Sequence, residues 1–239
     1  MNRRNTAVKR AIVMAISALL ALTVALPMAF AQAGQEAKAS GNVAELSVAW
    51  WQWALSKPAD DNPMIGEDPK YSKEQCDGTP VSPTQGKWWF LAGTFGGSDA
   101  VERTCTMPAE TQLFFPAVNV VAFPFVAGET RQNQRQLAEQ FIREVVTARD
   151  FSMSVTVDGK EVESDRIVRA LSPVFSFTMP QNNVFGIPAG EYDDASSNGL
   201  WVTLSPLPPG KHTIHFEMSA TTKNFGLVSQ DNTYNLTVR

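Results

Sequence analysis

Apolar positions recur along this chain with two different periods, and the change from one to the other separates two helices from a long run of strands. Val43, Leu46, Trp50 and Trp53 fall three, four and three residues apart, which places them on one stripe of a helix near 43–55. Gly41-Asn42 and Lys57-Pro58 supply its start and stop. A second helix is expected near 132–148, where Leu137, Phe141, Ile142, Val145 and Val146 oppose Arg131, Arg135, Glu139 and Glu144. Most other segments alternate with period two. Phe151, Met153, Val155 and Val157 take one side of a strand, with Ser152, Ser154 and Thr156 on the other. Asp158-Gly159 then supplies a type I′ hairpin turn. The same pattern predicts strands near 174–179, 200–204, 211–219 and 233–238, and shorter ones near 87–91, 103–107, 112–116 and 117–125. Residues 181–199 read as a long connection, and the polar stretch 224–232 as the separator between the last two strands. The fold class that follows is mainly β: an antiparallel β-sandwich or jelly-roll-like fold with two flanking α-helices, in a single domain over 42–239.

The first residues follow another logic. Arg3, Arg4, Lys9 and Arg10 form a basic start, Ala11 to Leu26 is almost unbroken apolar sequence, and Pro27 precedes Ala29-Phe30-Ala31. This is the layout of a signal peptide over 1–31, with a second small-x-small site at Ala31-Gln32-Ala33. A membrane anchor is the competing reading, since the stretch approaches the roughly 20 residues that span a bilayer. Pro27 and the small residues after it favour cleavage. Residues 32–41 are small and polar and read as a flexible lead. The expected location is periplasmic or secreted.

Export changes the charge. Removing residues 1–31 leaves 16 of the 20 basic residues against 24 acidic ones, a net charge of −8. An acidic chain without a basic run excludes nucleic acid and anionic membrane surfaces as partners. It also decides how Cys76 and Cys105, the two cysteines, are read. In an oxidising compartment they are expected to form a disulfide, because neither lies near a histidine in zinc-site spacing and there is no C-x-x-C pair.

Two tryptophan clusters and several acidic loops are the candidates for chemistry. Trp50, Trp51 and Trp53, with Trp88 and Trp89, could stack on sugar rings, yet on a helix Trp51 lies about 100° from Trp50, so the three cannot form one flat platform. Packing of the tryptophan helix on a strand covered on both faces satisfies both clusters. It predicts an indole N–H donating to a backbone carbonyl. Asp60-Asp61 and Asp193-Asp194 could hold Ca²⁺ but match no spaced Ca²⁺ loop, and solvated turn acids are the competing reading. His212 and His215, three apart on a strand, point to opposite faces and do not make a shared metal site. There is no G-x-S-x-G elbow, and no cofactor is implied.

The segment Gly86-Lys-Trp-Trp-Phe-Leu-Ala-Gly-Thr-Phe-Gly-Gly97, followed by Arg103-Thr-Cys-Thr-Met-Pro108 and Gln112-Leu-Phe-Phe-Pro-Ala-Val-Asn119, resembles a pattern of uncharacterised secreted bacterial proteins. The resemblance implies an exported bacterial protein and carries no catalytic residue. The expected function is a non-enzymatic binding or cell-envelope interaction module facing envelope polysaccharide or protein. Two alternatives stand beside it: a polysaccharide-active hydrolase or lyase using Glu191, Asp193 or His215 as acid or base, and a structural matrix protein pairing through strand edges.

Overall fold

The computed structural model describes residues 42–65, 77–79, 88–95, 100–124 and 131–239. All of them fall within one compact unit, Asn42–Arg239. The expected signal peptide, the lead over 32–41 and Cys76 lie outside the described residues. Helix α1 covers residues 42–55 and α2 covers Arg131–Val146. The described residues form ten strands, in chain order β1 Trp88–Phe90, β2 Ala100–Met107, β3 Gln112–Ala122, β4 Ser152–Val157, β5 Lys160–Glu161, β6 Ile167–Leu171, β7 Phe175–Met179, β8 Gly190–Leu204, β9 Gly210–Thr222 and β10 Gly226–Val238. No described helix is long and apolar enough to cross a membrane.

The strands form two five-stranded sheets that pack as a β-sandwich. The first has the order β1-β3-β8-β6, and β7 continues the line of β6 along the same edge of β8. The second has the order β2-β10-β9-β4-β5. Both sheets are mixed: β1 runs parallel to β3 and β2 parallel to β10, because each parallel pair joins strands distant in sequence, whereas the hairpins β4/β5 and β9/β10 are antiparallel. The hairpin turn after β4 is as expected, with Asp158 at φ 52° and Gly159 at φ 74°.

Three apolar layers hold these elements. Between the sheets, Leu113, Phe115 and Val202 meet Ile214, Phe216, Tyr234 and Leu236. On the other face of the first sheet, Trp50, Trp53 and Leu46 of α1 pack on Phe90, Phe114 and Trp201. The first sheet is therefore covered on both faces, which is why Trp88-Trp89-Phe90 is a continuous apolar run: Trp88 and Phe90 pack towards α1 and Trp89 towards the second sheet. The predicted indole bond is present, from Trp50 Nε1 to the Leu91 carbonyl, and a second runs from Trp53 Nε1 to the Asp77 carbonyl, both 2.9 Å. In the third layer α2 sets Ile142 and Val145 against Val118, Met218 and Ala220.

Three expectations need correction. Residues 190–199 are not loop but the first part of β8, where Ser196, Ser197 and Asn198 are buried. The corner between β6 and β7 pairs the Ser197 backbone, with the Ser172 N–H donating to the Ser197 carbonyl and the Ser197 N–H to Ser172 Oγ, each at 2.8 Å, and Asn198 Oδ1 accepts from the Gly199 N–H at 2.9 Å. Likewise the separator of the last two strands shrinks to a turn over 223–225, and 226–232 belongs to β10. On α2 the buried stripe is Gln134, Ala138, Ile142 and Val145, while Leu137 is 45% exposed, because small Ala138 lets the helix approach the sheets on that side.

Candidate functional site

β3 carries a bulge between Pro116 and Val118. Proline has no N–H to give the ladder, and the pairing with β8 shifts register there. Gln230 of β10 bonds to β3 at this shift: its Nε2 donates to the Ala117 carbonyl and, at 3.5 Å, to the Pro116 carbonyl. Its Oε1 accepts from Asn232 Nδ2 at 3.3 Å. A Cβ on Gly93 would lie 2.2 Å from Gln230 Oε1, so a side chain there would push the Gln230 amide aside.

Arg103 lies beneath this network with 1% of its surface exposed. Its Nη1 donates to Asn232 Oδ1 at 3.0 Å, and its Nη2 to the carbonyls of Pro63 at 2.9 Å and Gly93 at 3.4 Å. The guanidinium carbon stands 5.1 Å from the centre of the Tyr234 ring. Tyr234 Oη in turn donates to the Ala92 carbonyl and accepts from Ala92 Nα, both 3.0 Å. Burial pushes the Tyr234 phenol pKa up, so the hydroxyl stays protonated as this donor role needs. One arginine thus ties the turn after α1, the segment after β1 and strand β10 together.

Above this floor opens a cavity of about 240 Å³. Trp50 and Trp51 of α1, Phe95, Phe141 and Phe185 supply aromatic wall, and Thr94, Asn119, Ser229 and Gln230 supply polar groups. Phe95, 48% exposed, meets Phe185 edge-on at 5.5 Å at the rim. Two donors of the lining, Trp51 Nε1 and Asn119 Nδ2, are buried without a hydrogen-bond partner among the described residues. Both atoms have almost no accessible surface, so a ligand acceptor meets them only when the Trp51 or Asn119 side chain turns towards the cavity; a buried donor left unmade costs about 1–3 kcal/mol, which favours that turn.

The other candidates separate. Trp50, Trp51 and Trp53 are buried to 4% exposure or less and Trp89 to 9%, so they cannot form an exposed sugar-stacking platform; core packing explains them, and only Trp50 and Trp51 reach the cavity. Glu191 and Asp193 are exposed on β8 of the first sheet, whereas His215 lies on the outward face of the second. These three weak acid-base candidates do not converge. Asp60 and Asp61 sit exposed on a short 3₁₀ turn, where Asp60 Oδ2 accepts from Asn182 Nδ2 at 3.0 Å. Neither that pair nor Asp193-Asp194 belongs to a group of three metal-capable side chains among the described residues. Cys105 is buried in the layer between the sheets, and no described cysteine is free. Its expected partner, Cys76, lies outside the described residues.

His212 and His215 point to opposite faces, as alternation requires. His212 Nδ1 is 2.8 Å from Asp158 Oδ2 and its Nε2 is 2.9 Å from the Pro208 carbonyl. Both neighbours can only accept, so the doubly protonated ring satisfies both. The His212 pKa is raised, chiefly by the Asp158 hydrogen bond, and that of Asp158 is lowered, chiefly by the same bond. The histidine's contribution is full below its unfolded pKa of about 6.5 and is lost as pH rises through the raised folded value; the aspartate's is full above about 3.9 and is lost as pH falls through its lowered value. The pair therefore stabilises most between about pH 4 and 6.5. His212→Ala is expected to flatten the fall in stability on the alkaline side of that window, measured by urea unfolding at a series of pH values. An unchanged pH profile would contradict the pairing.

No protein-family model and no curated protein matches this chain. Among solved structures it is similar to the cysteine protease inhibitor EhICP2 from Entamoeba histolytica, at 13% identity over 64% of this chain and 96% of that one, with a TM-score of 0.23. It is also similar to PbICP-C in its complex with falcipain-2, at 11% identity over 64% of this chain and 100% of that one, again with a TM-score of 0.23. Similarity at that level transfers neither fold nor activity. The class that the chain's own structure defines is a helix-covered β-sandwich with an aromatic-lined cleft.

Proposed function

We propose that this is an exported, non-enzymatic binding protein whose cleft takes a small ring-shaped ligand bearing oxygen acceptors, of which a sugar residue of an envelope polysaccharide is the leading class. The observation that carries the reading is the pairing of Trp51 Nε1 and Asn119 Nδ2, buried and unpartnered, with a cavity walled by aromatic rings. Aromatic faces pack on the C–H faces of a sugar, while amides and hydroxyls such as those of Asn119, Gln230, Thr94 and Ser229 meet its hydroxyls. The scattering of the weak acid-base candidates over two sheets favours binding over hydrolysis.

The test is thermal unfolding of the purified chain against a panel of mono- and oligosaccharides, since a ligand of the native state raises its melting temperature by mass action. Trp51→Phe keeps most of the ring and removes the donor. The variant is expected to fold, and to lose about tenfold or more in affinity for any sugar that shifts the parent, the equivalent of about 1.4 kcal/mol. If no sugar shifts the parent, or if Trp51→Phe binds as the parent does, the reading fails.

A further inference from the structure

A second candidate site, none of whose proposed ligands lines the cleft, lies on the outward face of the second sheet. The hairpin of β9 and β10 pairs without interruption from Gly226↔Thr222 to Val238↔Gly210. Alternation places His215 and Glu217 of β9 on the same outward face, and the register sets Asp231 of β10 directly opposite Glu217. His215 reaches diagonally across, with its Nε2 2.9 Å from Asp231 Oδ1. One ligand atom from each of the three side chains lies within 4.8 Å of the others, the only such grouping among the described residues.

Two carboxylates directly opposite each other on neighbouring strands repel, and a cation between them reverses the sign of that interaction. Side chains on a sheet interior are also held more firmly than on a loop, so three donors converging there are largely preorganised. We propose that His215, Glu217 and Asp231 bind one divalent transition-metal ion of the zinc class, through one imidazole nitrogen and two carboxylate oxygens. The imidazole decides the class: Ca²⁺ and Mg²⁺ take oxygen ligands, whereas zinc accepts nitrogen and oxygen together at about 2.0–2.2 Å. Glu217 and Asp231 also line a groove of about 380 Å³ with Ser154, Ser219 and Ser229, which leaves the remaining coordination positions open to water or to oxygens of a bound molecule.

The experiment is calorimetric titration of the chelator-treated, purified chain with Zn²⁺ and, separately, with Ca²⁺. The expected result is one Zn²⁺ per chain and a loss of about tenfold or more in affinity in both His215→Ala and Glu217→Gln. His212→Ala is the internal control, because the chain holds two histidines and His212 faces Asp158 at the other side of the sheet. It should bind Zn²⁺ as the parent does. Absence of Zn²⁺ binding, equal binding by His215→Ala, or Ca²⁺ binding that ignores His215 would each overturn the site and leave His215 and Asp231 as a hydrogen-bonded surface pair. Failure of the sugar panel bears only on the cleft.

Discussion

Arg103→Ala is expected to lower stability by about 3–5 kcal/mol, from several lost hydrogen bonds of a charged donor and the cavity left behind, and to lower the melting temperature by roughly 10 °C. The loss has two parts. Hydrogen bonds from a charged donor contribute about 1.5–3 kcal/mol each, and their removal orphans the Pro63 carbonyl and Asn232 Oδ1, both deeply placed. The cavity left by the side chain removes contact with the Tyr234 ring. Arg103→Met separates the two parts, since it restores much of the apolar stem but none of the donors. Its loss should approach that of alanine. A cost below about 1 kcal/mol for either variant, in urea unfolding near pH 7, would mean that the guanidinium does not hold the three segments together.

Trp50→Ala comes next, with an expected cost of about 3–5 kcal/mol. This ring is 1% exposed and meets Trp51, Trp53 and Trp201 at centroid distances of 5.0, 5.7 and 5.5 Å. Its indole N–H also satisfies the Leu91 carbonyl. Because α1 attaches to the first sheet chiefly through this cluster, hydrogen exchange in 42–55 should accelerate more than in the β9/β10 hairpin. Trp50→Phe isolates the polar part: the ring contacts mostly remain and the carbonyl is orphaned, for about 1–3 kcal/mol. Equal protection of α1 in Trp50→Ala and parent would contradict this account of its attachment.

The sequence makes elements legible where burial follows a local period, and it fails where tertiary partners override local preference. The stripe of α1, the alternation of β4 and the Asp158-Gly159 turn are written in neighbouring residues, and the structure follows them. The first half of β8 is not, because Asp193, Asp194, Ser196, Asn198 and Gly199 all disfavour strands in isolation. It becomes a strand because β7 pairs with 190–195, β3 and β6 take up the pairing from Ser196 and Asn198 onward, and Ser172 bonds to the Ser197 backbone. On α2 the apolar pattern suggests Leu137 as core, yet the close approach permitted by Ala138 turns the helix so that Leu137 faces out.

The cleft was half visible. Trp50 and Trp51 stand out as aromatics, but periodicity says only that they cannot share one face, and nothing local connects them with Asn119 or with Gln230, over a hundred residues further on. Pro116 is the sequence signal that could have led there, since a proline inside a strand marks a bulge or irregular pairing. For the outward face, the spacing His215-x-Glu217 is a same-face pair on any strand, but Asp231 enters only through the hairpin register.

The central claim, that the cleft binds a ligand through its unpartnered donors, is tested most directly by ¹H–¹⁵N spectra of the labelled chain. Its six tryptophans give six indole N–H resonances, and the sugar that raises the melting temperature is titrated against them. The account predicts that the Trp51 indole and the Asn119 side-chain amide move together and by the largest amounts, while the Trp53 indole, already bonded to Asp77, stays in place. Saturable shifts confined to other residues, with Trp51 and Asn119 unmoved, would contradict it.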